Sequence, residues 1–104
     1  MRNFSTTKRI VIKIGTNLIT TENALDTEYM DTISRQIAEL VEKDYQVLLV
    51  SSGAIGMGAT ELGFATRVSD VRMRQACAAI GQPLLMHQYR ESFVPHHIRI
   101  AQVL

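Results

Sequence analysis

The sequence contains few cysteines, prolines and aromatic residues. Its 104 residues include no tryptophan, two prolines, six phenylalanines and tyrosines together, and one cysteine, Cys77. A single cysteine cannot form an internal disulfide, which is typical of a reducing compartment. No apolar run approaches the ~20 residues of a membrane span, and the charged N-terminus is followed by no apolar signal segment. We therefore expect a cytoplasmic protein with no membrane contact.

Charge of one sign is also lacking. The formal net charge is +1, from 11 Lys and Arg against 10 Asp and Glu. A nucleic-acid-binding protein usually carries a basic excess on one face, so we expect no nucleic-acid partner for this segment. The hydrophobic content of 46% is that of a folded globular chain, and the length allows one modest core.

The most informative stretch is a short aliphatic strand that stops at a polar turn. Val47–Val50 has no polar alternation, which predicts a strand covered on both faces, as in a parallel sheet flanked by helices. Ser51–Ala54, here called the serine turn, follows the strand and begins a predicted helix. The crevice beyond the carboxyl ends of parallel strands is a common ligand site, and helix N-termini there favour anions.

A second strand of the same kind lies near the N-terminus. Arg9–Asn17 is rich in β-branched residues but is interrupted by Lys13. A lysine in such a run either extends its ammonium to water from a strand end or lies near a ligand anion, because an unpaired buried ammonium is costly. Lys13–Thr16 is here called the lysine turn. Its Gly15 either allows close approach of a ligand or adopts a positive φ.

Between the two strands, Leu25–Lys43 has the apolar spacing of an amphipathic helix with Asp26 as N-cap, and Asp44 follows it where helices often have glycine. A strand, a helix and a strand form a βαβ unit with parallel strands. Both turns should then lie at one edge of the sheet. We expect an α/β fold: a βαβ-based parallel sheet flanked by helices.

The remaining segments predict two helical regions and a further strand. Ala54–Leu62 reads as a short helix closed by Gly63, although its internal glycines weaken it and suggest close packing or approach to a ligand. A loop is predicted between Thr20 and Ala24, and helices over Val71–Ile80 and Gln82–Phe93, with Pro83 starting a new helix or kinking a continuous one. Cys77 is expected in the core, and the helical spacing of Met86, Tyr89 and Phe93 places them in the core or in an interface. A third strand should begin in Ile98–Leu104.

Taken in order, these segments resemble the N-terminal part of the amino acid kinase family over roughly residues 8–104. The resemblance is carried by Val11–Thr16, by Val47–Ala54 with its Ser-Ser-Gly-Ala ending, and by three later segments, Arg74–Ala76, Ala79–Gln82 and Ala101–Leu104. The family's catalytic domain is longer. The resemblance therefore implies that residues 1–104 are the N-terminal portion of such a domain, with residues 1–7 flexible.

Within the family, Ser-Gly-Ala after the second strand resembles the branch that phosphorylates the γ-carboxylate of L-glutamate, the first step of proline biosynthesis. The resemblance implies ATP and Mg²⁺ as cofactors and a homo-oligomer when full length. It also assigns the site residues: Lys13 as catalytic residue, Lys13, Gly15 and Thr16 for ATP, and Ser52, Gly53 and Ala54 for glutamate.

Three other interpretations stay open on the sequence. The chain could be a small anion- or nucleotide-binding module without chemistry, another member of the family, or an inert product that self-associates through an exposed sheet edge. At the level of single residues, Lys13 could be a solvated strand-end lysine, and Ser51 and Ser52 could only cap the following helix.

Overall fold

The computed structural model of the protein describes residues 2–15, 20–21, 24–64 and 68–103, and for residues 20, 21 and 24 the backbone alone. Two strands and three helices account for most of these residues. In chain order the elements are β1 (Arg9–Ile14), β2 (Thr20–Thr21), β3 (Ala24–Leu25), α1 (Thr27–Glu42), β4 (Gln46–Ser51), α2 (Ala54–Glu61), α3 (Val71–Phe93) and a 3-10 helix (Val94–His96).

The main sheet is formed by β1 and β4, which pair in parallel. The register places Arg9 opposite Gln46 and Ile14 opposite Ser51, so the two strands begin and end together. Because α1 lies between them in the chain, β1, α1 and β4 form the predicted βαβ unit. The predicted α/β class with a parallel sheet is confirmed.

Helix α1 has well-defined ends. The Asp26 carboxylate accepts a hydrogen bond of 3.0 Å from the Tyr29 N–H, which confirms the predicted N-cap. At the other end, Asp44 has a φ of 66° and its N–H donates to the Val41 carbonyl, while the Tyr45 N–H donates to the Leu40 carbonyl. This is a Schellman motif in which an aspartate takes the position that usually holds glycine.

The core lies between one face of the sheet and helices α1 and α3. Alternate residues of β1 and β4 point toward these helices, as the two-residue period of a strand requires. The buried hydrophobic residues are Ile14, Met30, Ile37, Cys77, Leu85, Tyr89 and Phe93. The predicted core position of Cys77 is confirmed, and Tyr89, predicted for the core or an interface, lies in the core.

The opposite face of the sheet corrects one prediction. Val11 is 65% exposed, and Leu48 and Val50 are about half exposed. The aliphatic run was expected to be covered on both faces, but the helices that pack on the described strands lie on one side only. The apolar run therefore indicated burial at positions that no element among the described residues covers.

Of two further predictions, one is wrong in detail and one open alternative is settled. Thr20–Thr21 and Ala24–Leu25 form a short antiparallel pair where a loop was expected. Pro83 lies inside the continuous helix α3, which is one of the two alternatives left open by the sequence. Because proline has no N–H, the Ala79 carbonyl lacks its helical partner. Ala79 and Pro83 are both exposed, so this carbonyl lies on the solvent side.

The predicted third strand is the largest error in this region, because residues 98–103 form no strand. A groove of about 700 Å³ is lined both by β4 and by this segment, which lies beside β4 without joining its ladder. Strand pairing needs a neighbouring backbone within about 5 Å, and local alternation of apolar residues cannot supply it.

Helices α2 and α3 approach each other closely at two glycines. A Cβ added to Gly58 would overlap the Cys77 backbone, and one added to Gly81 would overlap the Ala54 carbonyl. A Cβ on Gly56 would meet nothing within 4 Å. Close packing against α3 therefore explains why α2 has a glycine at position 58 despite its low helix propensity. Gly56 lies on a side of α2 where a larger side chain would have space.

Candidate functional site

The lysine turn and the serine turn lie side by side at the carboxyl edge of the sheet. The Ser52 N–H donates to the Ile14 carbonyl at 3.1 Å, and the Ser52 hydroxyl contacts the same oxygen at 3.4 Å. These bonds extend the β1–β4 ladder by one residue beyond the Ile14–Ser51 pair. The predicted meeting of two turns that are far apart in the chain is thereby confirmed.

Lys13 lies at the end of β1, opposite Val50. Its side chain is exposed on the uncovered face of the sheet and makes no ion pair with any residue in the described part of the chain. An exposed ammonium next to the sheet edge can approach an anion without first breaking a salt bridge. Solvation without a ligand, the alternative left open by the sequence, fits this exposure equally well.

The two glycines at the edge differ in backbone conformation. Gly15 has no positive φ, and a Cβ there would meet nothing within 4 Å. Gly53 is buried at the N-cap of α2 with a φ of 120°, a conformation that favours glycine. Of the two sequence-based explanations for Gly15, only the close approach of a ligand stays a prediction. Thr16 lies outside the described residues.

Ala54 is the first residue of α2 and is half-buried. Its carbonyl lies against Gly81 of α3, so helix packing fixes where α2 begins. Gly53 accepts a hydrogen bond from Met57 at 3.0 Å, which starts the helical ladder directly after the serine turn. The first turn of α2 contains no acidic side chain, which leaves its N–H groups available to an anionic ligand.

Ser51 and Tyr89 also lie at the site, although the sequence did not identify either as a site residue. The Ser51 hydroxyl lies 2.6 Å from the Tyr89 hydroxyl of α3, and it also donates to the Ser52 carbonyl at 3.2 Å. The helical spacing of Tyr89 predicted a place in the core or an interface, and the side chain is only 4% exposed. The signal that could have found it is chemical: a tyrosine on a buried helix face needs a partner for its hydroxyl.

Burial raises the pKa of the Tyr89 phenol above 10.0, its ordinary value. The hydrogen bond with Ser51 acts in the opposite direction, and the nearby Tyr29 adds a small upward effect. Burial dominates because the phenolate would lose its hydration in the core. Tyr89 is therefore a neutral hydroxyl group at physiological pH and can donate one proton to a hydrogen bond.

Neither a membrane helix nor a metal cluster is found among residues 2–15, 20–21, 24–64 and 68–103. None of the helices there is long and apolar enough to span a bilayer. The same residues contain no group of three His, Cys, Asp or Glu side chains that could hold a metal ion. The cationic and N–H groups at the sheet edge are suited to anions.

Comparison with known proteins agrees with this geometry. Residues 8–104 match the model of the amino acid kinase family, which is nearly the whole chain. The chain belongs to the amino acid kinase family. The expectation drawn from the ordered motifs is thus confirmed, and the parallel β1–β4 pair with its flanking helices is consistent with the N-terminal part of an amino acid kinase domain.

The chain is also similar to curated proteins named glutamate 5-kinase. It is 46% identical to that of Thermus thermophilus over 104 residues, which is 100% of the chain and 28% of the relative. The protein of Geobacter sulfurreducens is 46% identical over 96% of the chain and 27% of its own length. That of Methanosarcina barkeri is 41% identical over 92% of the chain and 27% of its own length. The chain thus spans between a quarter and a third of these relatives.

Proposed function

We propose that this chain is the N-terminal portion of a glutamate 5-kinase, which uses ATP to phosphorylate the γ-carboxylate of L-glutamate. The observation that carries the proposal is the pairing of the lysine turn and the serine turn at one sheet edge, through the Ser52 N–H and the Ile14 carbonyl. The names of the relatives supply the substrate. The product, glutamyl 5-phosphate, places the reaction at the first step of proline biosynthesis.

In this proposal Lys13 binds the transferring phosphate. Phosphoryl transfer is catalysed mainly by positioning and by neutralising charge on the phosphate oxygens. An ammonium at the end of β1 that is free of carboxylate partners among the described residues is suited to that task. Gly15 has open space where a side chain would lie, so the phosphates can approach its backbone. Thr16 is proposed to continue that contact.

The serine turn is proposed to hold glutamate. Ser52 is exposed beside the lysine turn and supplies a hydroxyl, while Gly53 and Ala54 supply N–H groups at the start of α2. N–H groups at a helix start stabilise carboxylates through the helix dipole. With the acceptor carboxylate on one turn and the phosphates on the other, the two reactants would lie in adjacent positions at the same edge.

Mg²⁺ is proposed to enter as the complex with ATP. Mg²⁺ is usually held by substrate phosphates with one or two carboxylates and water. The described residues offer no metal-binding cluster, so their part is limited to the Lys13 cation and the turn N–H groups. When bound, the ion would neutralise charge on the phosphates. A cytoplasmic location and a homo-oligomeric assembly stay predictions.

The test is Lys13→Ala in the protein expressed from its complete gene, assayed for glutamate- and ATP-dependent formation of ADP. We expect kcat to fall by roughly 100-fold or more, as on removal of a group that stabilises transition-state charge. The melting temperature should be unchanged, because Lys13 is exposed. Lys43→Ala is the matched control, since Lys43 is an exposed lysine at the end of α1, away from the carboxyl edge of the sheet.

Two results would contradict the proposal. Turnover in Lys13→Ala equal to that of the unaltered protein would remove Lys13 from the reaction. If the unaltered protein binds ATP but transfers no phosphate to glutamate or any other amino acid, the anion- or nucleotide-binding module becomes the better interpretation.

A further inference from the structure

The Tyr89 hydroxyl is the polar end of a side chain that is otherwise part of the core. Tyr89 packs in the cluster that includes Ile14, Leu85 and Phe93, and its hydroxyl lies 2.6 Å from the Ser51 hydroxyl. This bond joins α3 to the last residue of β4, directly before the proposed glutamate-binding residues. A phenylalanine would fill the same apolar space, so core packing alone does not account for the hydroxyl.

The direction of the hydrogen bonds follows from the number of protons. Ser51 has one hydroxyl proton, which it donates to the Ser52 carbonyl at 3.2 Å. The Ser51 oxygen must therefore accept the bond from Tyr89, whose hydroxyl donates. The result is a chain of two hydrogen bonds, from Tyr89 to Ser51 and from Ser51 to the Ser52 carbonyl.

The Ser52 carbonyl shares its peptide group with the Gly53 N–H. The described backbone contains no cis peptide bond, so this planar group holds its carbonyl and its N–H in opposite directions. Ser51 holds the carbonyl, and the Gly53 N–H consequently points away from Ser51. In the described part of the chain the Gly53 N–H has no hydrogen-bond acceptor.

We propose that Tyr89 is a positioning residue for the acceptor substrate: through Ser51 it fixes the Ser52–Gly53 peptide so that the Gly53 N–H is directed at the carboxylate of the bound amino acid. This inference rests on the proposed function and extends it to a residue of α3 that does not contact the substrate. The raised pKa of the phenol keeps Tyr89 a donor throughout the neutral range. Tyr89 acts on substrate binding and has no part in ATP binding.

The first test compares Tyr89→Phe with Tyr45→Phe in the protein expressed from its complete gene. Tyr45 is the matched control, because it is half-buried and its hydroxyl has no hydrogen bond within the described ranges. We expect Tyr89→Phe to raise the KM for glutamate by about three- to tenfold, the effect of one lost hydrogen bond. The KM for ATP should stay within about twofold. Equal changes in both KM values, or none, would overturn the proposal.

A double-mutant cycle tests whether Tyr89 acts through Ser51. Ser51→Ala should raise the glutamate KM, and adding Tyr89→Phe to Ser51→Ala should have no further effect. Ser51→Thr retains a hydroxyl and should keep the KM near that of the unaltered protein. A full Tyr89→Phe effect in the Ser51→Ala background would show that Tyr89 acts by another route.

A spectroscopic measurement separates this inference from the proposed function. The pair Ser-Gly occurs once in the chain, at Ser52–Gly53, so carbonyl-labelled serine and nitrogen-labelled glycine select the Gly53 amide within residues 1–104. Tyr89→Phe should shift this resonance, and Tyr45→Phe should not. If the unaltered protein fails to phosphorylate glutamate, the proposed function fails, and the Gly53 shift alone decides the role of Tyr89. An unchanged Gly53 resonance in Tyr89→Phe overturns the inference whatever the activity.

Discussion

The two turns at the carboxyl edge of the sheet are held in different ways. The serine turn is fixed from several sides: Ser51 bonds to Tyr89, Gly53 has a φ of 120°, and α2 is packed tightly on α3. At the lysine turn, Lys13 is exposed and Gly15 has open space around it. Within the described residues, the proposed amino-acid side is constrained by the core and the proposed phosphate side faces solvent.

The proposed function gives this difference a chemical reason. A small amino acid must be held by directional hydrogen bonds from a few fixed groups, since these bonds weaken steeply when misaligned. A polyphosphate is attracted by charge over a longer range, so a mobile lysine side chain is sufficient for it. If so, substitutions of the glycines that fix the serine turn should lower stability, whereas substitutions at the lysine turn should alter ligand binding with little effect on stability.

The largest expected effect concerns the contact between α2 and α3. Gly81→Ala and Gly58→Ala should each lower the free energy of unfolding by about 3 kcal/mol, because the added methyl group would meet backbone atoms that cannot move independently. Gly56→Ala is the control on the same helix. It should raise stability by about 0.5–1 kcal/mol, the helix-propensity gain, since its side is open.

Urea unfolding followed by circular dichroism measures all three variants. Equal effects of Gly56→Ala and Gly58→Ala would mean that the two helices do not pack as described. The serine turn would then be less constrained than described, because the start of α2 would no longer be fixed by α3.

The next largest effect is the difference in stability between alanine variants of the glycines in the two turns. Gly53→Ala should cost about 1–3 kcal/mol, since an L residue at a φ of 120° is strained. Gly15→Ala should change the unfolding free energy by less than about 1 kcal/mol, because its φ is not positive and nothing lies near a Cβ there. Thermal unfolding of both variants is the measurement. A strongly destabilised Gly15→Ala would contradict the view of an open lysine turn.

The smallest effect is on the pH dependence of stability. The folded-state pKa of Tyr89 is raised above 10.0 by burial, so its contribution is fully present below pH 10.0 and is lost as the pH rises from there through the folded-state pKa. Urea unfolding between pH 9 and pH 11 should show a steeper loss of stability for the unaltered protein than for Tyr89→Phe. Parallel curves would mean that the Tyr89 phenol is not buried.

Local patterns predicted the elements well where neighbouring residues determine them. The Asp26 cap, the amphipathic spacing of α1 and the glycine at the end of α2 are short-range signals, and each is realised. The covering of the outer sheet face and the strand at residues 98–103 depend on what lies beside the segment in space. A run of apolar residues carries no information on that partner.

The site shows the same division. The meeting of the two turns could be predicted because parallel strands end at one edge, a consequence of topology. The hydrogen bond between Ser51 and Tyr89 could not, since it depends on how α3 is rotated against β4. Helical spacing placed Tyr89 on the buried face of α3 but could not identify the partner of its hydroxyl.

The continuity of α3 through Pro83 links two separate parts of the molecule. Gly81, which sets the distance to α2, and Tyr89, which bonds to Ser51, lie on the same helix about 12 Å apart along its axis. A displacement of α3 at its contact with α2, at Gly81, would therefore also move the Tyr89 phenol relative to the end of β4. Under the proposed function, amino-acid affinity should accordingly respond to the spacing between α2 and α3, through a helix whose own residues need never touch the ligand.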